Sequence, residues 1–187
     1  MIQKTLTALA GVALASAVVL GTTQMLNAQI ERLDLNQMVS RSDDAIVGKI
    51  TARNVIRIDH ETDGPELYFT SLTITGRSLE TNAPQSVDVW FGGGFINDKE
   101  GVFNSEAPSM DDQKIGNEVV AFFKFEENMG GDLSGNALMT WHGGLYRTFA
   151  SRGATFVQGR GDGYAIPTNV RLDSLDAQVK SIAAEKK

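Results

Sequence analysis

Trp141-His142-Gly143-Gly144 is the stretch of this chain where a titratable ring, an aromatic plate and a pliable backbone fall together. An imidazole can serve as acid, base or metal ligand, and an indole can stack on the flat apolar face of a sugar ring. Trp90 and Tyr146 are further aromatics able to share such a surface. Trp90, Trp141, His142 and Tyr146 are therefore the candidate binding residues. The competing assignment for the three aromatics is ordinary barrel core. Chemistry beyond binding finds little support. His60 is the second of only 2 histidines, lies far away in sequence, and has no cysteine to complete a zinc set. No serine occupies a Gly-x-Ser-x-Gly elbow, and no glycine run matches a phosphate loop. Asp43-Asp44, Asp111-Asp112 and Glu126-Glu127 are adjacent pairs, and neighbours on a strand point to opposite faces. The Asp98–Asp112 segment is acidic but lacks the spacing of a calcium loop. Arg160-Gly161-Asp162 is the tripeptide that integrins read, yet Gly159 and Gly163 around it make it a turn. No catalytic residue, metal or cofactor is assigned.

The elements that must hold the candidate set alternate with a period of two. Asp34–Ser42 reads as a short helix, with Asp34 and Gln37 in capping-box spacing and Leu35, Met38 and Val39 on one face. Ala45–Ile58 reads as a strand with Ile46, Gly48, Ile50 and Ala52 on one face, and Gly48 marking a bend or bulge. The polar turn around Asp63-Gly64-Pro65 joins it to a second strand, Leu67–Leu79, as a hairpin. Val87–Phe91 is a third strand that runs into Gly92-Gly93-Gly94. Phe95–Gly116 is a long excursion, and long loops of this kind are usually functional or mobile. Asn117–Glu126 is apolar on both faces, which predicts a central strand. Ala137–His142 and Leu145–Ala150 form a fifth strand interrupted at Gly143-Gly144, and Ala154–Gln158 forms a sixth. Leu172, Leu175, Val179 and Ile182 share one face of a closing helix over 173–184. The fold class expected is mainly β: a small antiparallel OB-like barrel, or a sandwich, of five to six strands with a helix at each end.

The beginning of the chain carries an address. Lys4 precedes the uncharged run Thr5–Gly21, and Ala28 is a small residue at a cleavage position, so residues 1–28 read as a secretory signal peptide. The alternative is an uncleaved N-terminal anchor, since the run is near the lower limit for spanning a bilayer. Both place residues 29–187, a single β-rich domain, outside the cytoplasm, in the periplasm or secreted. With 0 cysteines there is neither a lipidation site nor a disulfide, and the core alone must hold the domain. Lys and Arg total 17 against 23 Asp and Glu, which disfavours nucleic acid and anionic membrane surfaces as partners. No second apolar run is long enough to span a membrane.

Ser42-Asp43-Asp44-Ala45-Ile46-Val47-Gly48-Lys49-Ile50 resembles the Asp-x-Ile-Val-x-Gly-Lys-Val opening of a group of exported, uncharacterised bacterial proteins. Tyr68-Phe69-Thr70, Gly92-Gly93-Gly94, Ala107-Pro108-Ser109-Met110, Ile115–Phe123 and Leu172–Ile182 resemble later parts of the same group in order. More remotely, the opening is similar to netrin-like modules and tissue inhibitors of metalloproteinases, whose barrels are of OB type. The resemblance implies a barrel. It does not imply inhibition, because those inhibitors block zinc with an N-terminal cysteine and this chain has none. The function expected is a non-enzymatic binding or scaffolding module of the cell envelope, with an extracellular or envelope protein or glycan as partner. The alternative is an envelope hydrolase or a protease-inhibitor-like protein, resting on His142 and the carboxylates of the excursion.

Overall fold

A computed structural model describes residues 31–186. The leader assigned to residues 1–28 lies outside the described residues. Helix α1 (Leu35–Arg41) is capped as its sequence predicts: Gln37 donates its backbone N–H to Asp34 at 2.8 Å, and Asp34 donates its own to the Gln37 side chain at 3.1 Å. Strands β1 (Asp44–His60) and β2 (Gly64–Ser78) form the expected hairpin, and β3 (Pro84–Gly92) pairs with β2. A separate small hairpin, β4 (Gly94–Asn97) and β5 (Glu100–Val102), occupies the start of the excursion. Then come β6 (Glu118–Glu126), β7 (Gly135–Leu138), a 3-10 turn (Trp141–Gly144), β8 (Leu145–Ser151), β9 (Ala154–Val157) and β10 (Val170–Arg171). Helix α2 (Leu172–Glu185) closes the chain.

Strands β1-β2-β3-β7-β6 pair in that order, and β6 closes back on β1, giving the small OB-like barrel of five strands. It is mixed rather than wholly antiparallel, because β7 runs parallel to β3. A parallel neighbour needs a long crossover, and here the excursion plus β6 supplies it. Gly48 sits opposite Gly76, where a Cβ would lie 2.4 Å from the Thr75 carbonyl oxygen. Only two glycines allow the strands to come that close. The bulge in β1 falls further on, between Ile50 and Ala52.

Two cores lie on opposite faces of β1 and β6. Ile46, Ile50, Leu72, Ile74, Val89 and Phe123 fill the barrel. Ala45, Val120, Phe122 and Tyr146 face outward and are covered by Met38 and Val39 of α1 and by Leu175 and Val179 of α2. This is why β6 is apolar on both faces. The helices cover a barrel wall, as a sheet face with apolar residues requires. Among the described residues no helix is long and apolar enough to cross a membrane.

Two expectations change in detail. The bulge turns Ala52 to solvent and puts Arg53 on the inner face instead. The interrupted fifth strand is β7 and β8, both paired along one edge of β6, but the break is wider than Gly143-Gly144. It holds the whole 3-10 turn, so Trp141 and His142 lie on that turn and not on a strand.

Candidate functional site

The bulge decides what faces the open end of the barrel. Arg53 stands opposite Leu72, and Leu72 is fully buried inside the barrel. Directly opposed residues of an antiparallel pair share a face, so the Arg53 side chain points inward at the barrel mouth. Gly93 and Gly94, at φ 91° and 137°, turn the chain out of β3 into the β4–β5 hairpin beside that mouth. A Cβ on Gly94 would lie 2.2 Å from the Thr70 hydroxyl. The rest of the excursion then folds across the end of the barrel and is stitched down. Asn104 donates its amide N–H to the Gly92 carbonyl at 2.9 Å, and Gly116 donates its backbone N–H to Ile50 at 2.8 Å. Gln113, buried, donates to the Pro108 carbonyl and accepts from Arg53 Nε at 2.8 Å.

Between the hairpin and this plug lies a cavity of about 390 Å³. Phe91, Arg53, Gln113, His142, Asp112 and Arg160 contribute to its polar and apolar floor. Its rim is apolar and open: Phe95 and Val102 are 45% exposed, Met110 63% and Phe103 78%. Clustered exposed apolar groups of this kind are characteristic of binding surfaces rather than of inert ones. Asp112 is the keystone of the floor. Its carboxylate accepts from Arg147 at 3.1 Å, from Arg160 at 3.0 Å and from the Ser109 hydroxyl at 2.8 Å. Arg160 also donates to the Leu145 carbonyl at 2.7 Å and lies 5.7 Å above the Tyr146 ring. In the Arg160-Gly161-Asp162 tripeptide the cation is therefore pinned inside the fold, and the turn begins only at Asp162.

His142 is on this floor but is not poised for catalysis. Its Nδ1 lies 2.9 Å from the Glu106 carbonyl oxygen, which can only accept. Nδ1 therefore donates to it, and Nε2 shares a hydrogen bond with the Tyr164 hydroxyl at 2.8 Å. Both ring nitrogens are committed, and neither meets a carboxylate, serine or threonine among the described residues. The geometry clamps the 3-10 turn to the excursion.

Trp90 and Trp141 do come together, in a second cavity of about 210 Å³ with Phe69, Met129 and Leu138. Gly92 and Gly135 make room for them: a Cβ at Gly92 would lie 3.0 Å from the Trp141 ring, and one at Gly135 3.1 Å from the Trp90 ring. Thr140 and Trp141 both take positive φ, 43° and 55°, so the turn is held in a strained backbone region. Apart from the indoles of Trp90 and Trp141 the cavity is lined by wholly apolar side chains, with none of the side-chain acceptors a sugar's hydroxyls require. Tyr146 is elsewhere. It is wholly buried under α2, edge-on to Phe122 at 6.2 Å, and among the described residues no group meets its hydroxyl in full hydrogen-bond geometry, the Ile166 and Ala165 backbone lying near it without completing a bond. Burial pushes that phenol up to about 12, with the Ile166 and Ala165 backbone and Arg160 opposing. The four candidate residues thus divide three ways, and only His142 belongs to the larger cavity.

Arg53, Phe103 and Met110 were not among the candidates. The exposed apolar residues of the excursion were a usable signal for the last two. Nothing in the alternation pattern marks Arg53. No family model, curated protein or solved structure matches the chain.

Proposed function

We propose that the protein is a non-enzymatic binding module of the cell envelope, which uses the cavity beneath the excursion to hold a partner. One observation carries this reading: Phe95, Val102, Phe103 and Met110 converge, exposed, on a cavity that also holds two guanidiniums. A five-stranded barrel closes without the excursion, so its apolar rim serves no need of the core. The doubly committed His142 argues against a hydrolase. The exported location rests on the leader, Lys4 with the run Thr5–Gly21, and on the resemblance of the opening to exported bacterial proteins.

The test is capture from envelope extracts by the wild type and by Phe103→Ser/Met110→Ser, followed by titration with the purified partner. Saturable binding that the double variant loses supports the reading. Equal capture by both proteins, or no saturable binding, overturns it. Fractionation of a tagged full-length chain tests the location separately, and a soluble cytosolic precursor would refute it.

A further inference from the structure

Arg53 is an anomaly in the barrel mouth. It points inward from β1, it is half-buried, and no carboxylate pairs with it among the described residues. Its sole hydrogen bond among the described residues is Nε to the neutral Gln113 amide oxygen, at 2.8 Å. The two terminal nitrogens of the guanidinium make none among the described residues, so the end of the fork is unspent. Among the described residues Asp112 is the only acid on the cavity lining, and Arg147 and Arg160 already share it. The lining therefore carries a net positive charge in a chain whose formal net charge is −6. A partly desolvated cation without a counterion is costly, and burial alone lowers the Arg53 pKa from its ordinary value. A ligand anion that meets the fork end-on would supply two parallel charge-assisted hydrogen bonds.

We propose that this cavity recognises the C-terminus of a protein or peptide ending in apolar residues, with the terminal carboxylate on Arg53 and the preceding side chains on Phe95, Val102, Phe103 and Met110. The inference rests on the binding-module reading and names its ligand. Carboxylate capture by fixed donors is a recurring way of reading chain ends. Two features favour a peptide over a fatty acid. The rim stays open to water, where an alkyl tail would remain hydrated but a peptide backbone is at ease. Ser105 on the same lining offers a hydroxyl, uncommitted among the described residues, that a hydrocarbon cannot use.

The test is calorimetric titration of the protein with the acetylated peptides Gly-Leu-Val, Gly-Leu-Leu, Gly-Leu-Phe and Gly-Leu-Met, each as free acid and as carboxamide, and with decanoate. At least one acid should bind about tenfold or more tightly than its amide. Arg53→Gln should erase that preference, and Arg53→Lys should restore part of it; thermal melts confirm that both variants fold. Acid and amide binding equally, with both lost in Phe103→Ser, overturns the carboxylate contact and leaves the binding site standing. Decanoate binding that depends on Arg53, with no peptide acid preferred, overturns the peptide in favour of a fatty carboxylate. No binding of any probe overturns the terminal-carboxylate inference, and the binding-module reading falls with it only if Phe103→Ser/Met110→Ser also captures as the wild type does.

Discussion

Replacing Tyr146 by Phe should leave the protein as stable at neutral pH, or stabilise it by up to about 1 kcal/mol. The Tyr146 side chain is fully buried and, among the described residues, its hydroxyl has no partner in full hydrogen-bond geometry. Its ring packs against Phe122 and under Arg160, and phenylalanine keeps both contacts. A buried, unpaired hydroxyl costs about 1–3 kcal/mol on mutational scales. The nearby Ile166 and Ala165 amides offset part of that, which sets the lower figure. A hydroxyl with a good partner would instead cost about 1 kcal/mol to remove, so the sign discriminates. A second readout comes from alkaline pH. In the unfolded chain the phenol ionises near its ordinary value of 10.0, while in the fold burial holds the proton until about 12. Between those values the unfolded state binds fewer protons than the native state, so stability falls as pH rises. Below the lower value this group contributes no pH dependence. At about 1.4 kcal/mol per pH unit the loss reaches about 3 kcal/mol. Urea melts of both proteins at about pH 7, 9 and 11 measure the difference directly, because every other titrating group is shared. A loss above about 1 kcal/mol at neutral pH, or parallel alkaline declines, would refute the reasoning.

Gly92→Ala places a methyl 3.0 Å from the Trp141 ring. It should cost about 1–3 kcal/mol and shift the tryptophan emission while the far-ultraviolet dichroism is kept, whereas unchanged emission would mean the ring does not rest there. Asp112→Asn leaves the Arg147 and Arg160 guanidiniums without their shared anion. Removing one partner of a buried pair costs about 3–5 kcal/mol. Arg147 is 40% exposed, so the loss expected in urea melts is about 2–3 kcal/mol, and one below about 1 kcal/mol would show that the keystone role is wrong. Asp173, hydrogen-bonded to Arg171, is held down to about 2 from its ordinary value of 3.8. Its lowered value favours the fold above the ordinary carboxylate range, and that contribution disappears as pH falls toward about 2. An NMR titration should place its midpoint there, and Arg171→Gln should raise it toward the usual range while the Ser174 hydrogen bonds still hold it somewhat low; a midpoint unmoved by that change would refute the pairing.

The strands were legible because their two faces meet different solvents. Ile46, Ile50, Leu72, Ile74 and Val89 alternate with polar neighbours since one face fills the barrel and the other meets water. Asn117–Glu126 broke that alternation for a physical cause, a second core beneath two helices, and the apolar stripe of the closing helix supplied its other half. What escaped were events that depend on register. Met139 stays bonded to Phe122 before the chain leaves the edge of β6 for the 3-10 turn, and β8 rejoins that edge after it. A local pattern cannot tell such a loop from a strand with two glycines. Tyr146 looked like a candidate stacking surface, yet the turn sets β8 so that this ring faces the helices.

Arg53 shows the same limit most sharply. Extending the alternation from Ile46 through Ile50 assigns Ala52 to the core and Arg53 to solvent, and one extra residue between Ile50 and Ala52 exchanges the two. A slip of one residue moves every following side chain to the other face, and nothing in the residue types announces it. The exchange brings a cation inward where the sequence pattern alone would place a methyl group. A barrel optimised for stability would have kept the methyl. That the fold holds a guanidinium there, with an apolar rim above it, is the physical reason the proposed binding site lies at the mouth of the barrel rather than on the tryptophans.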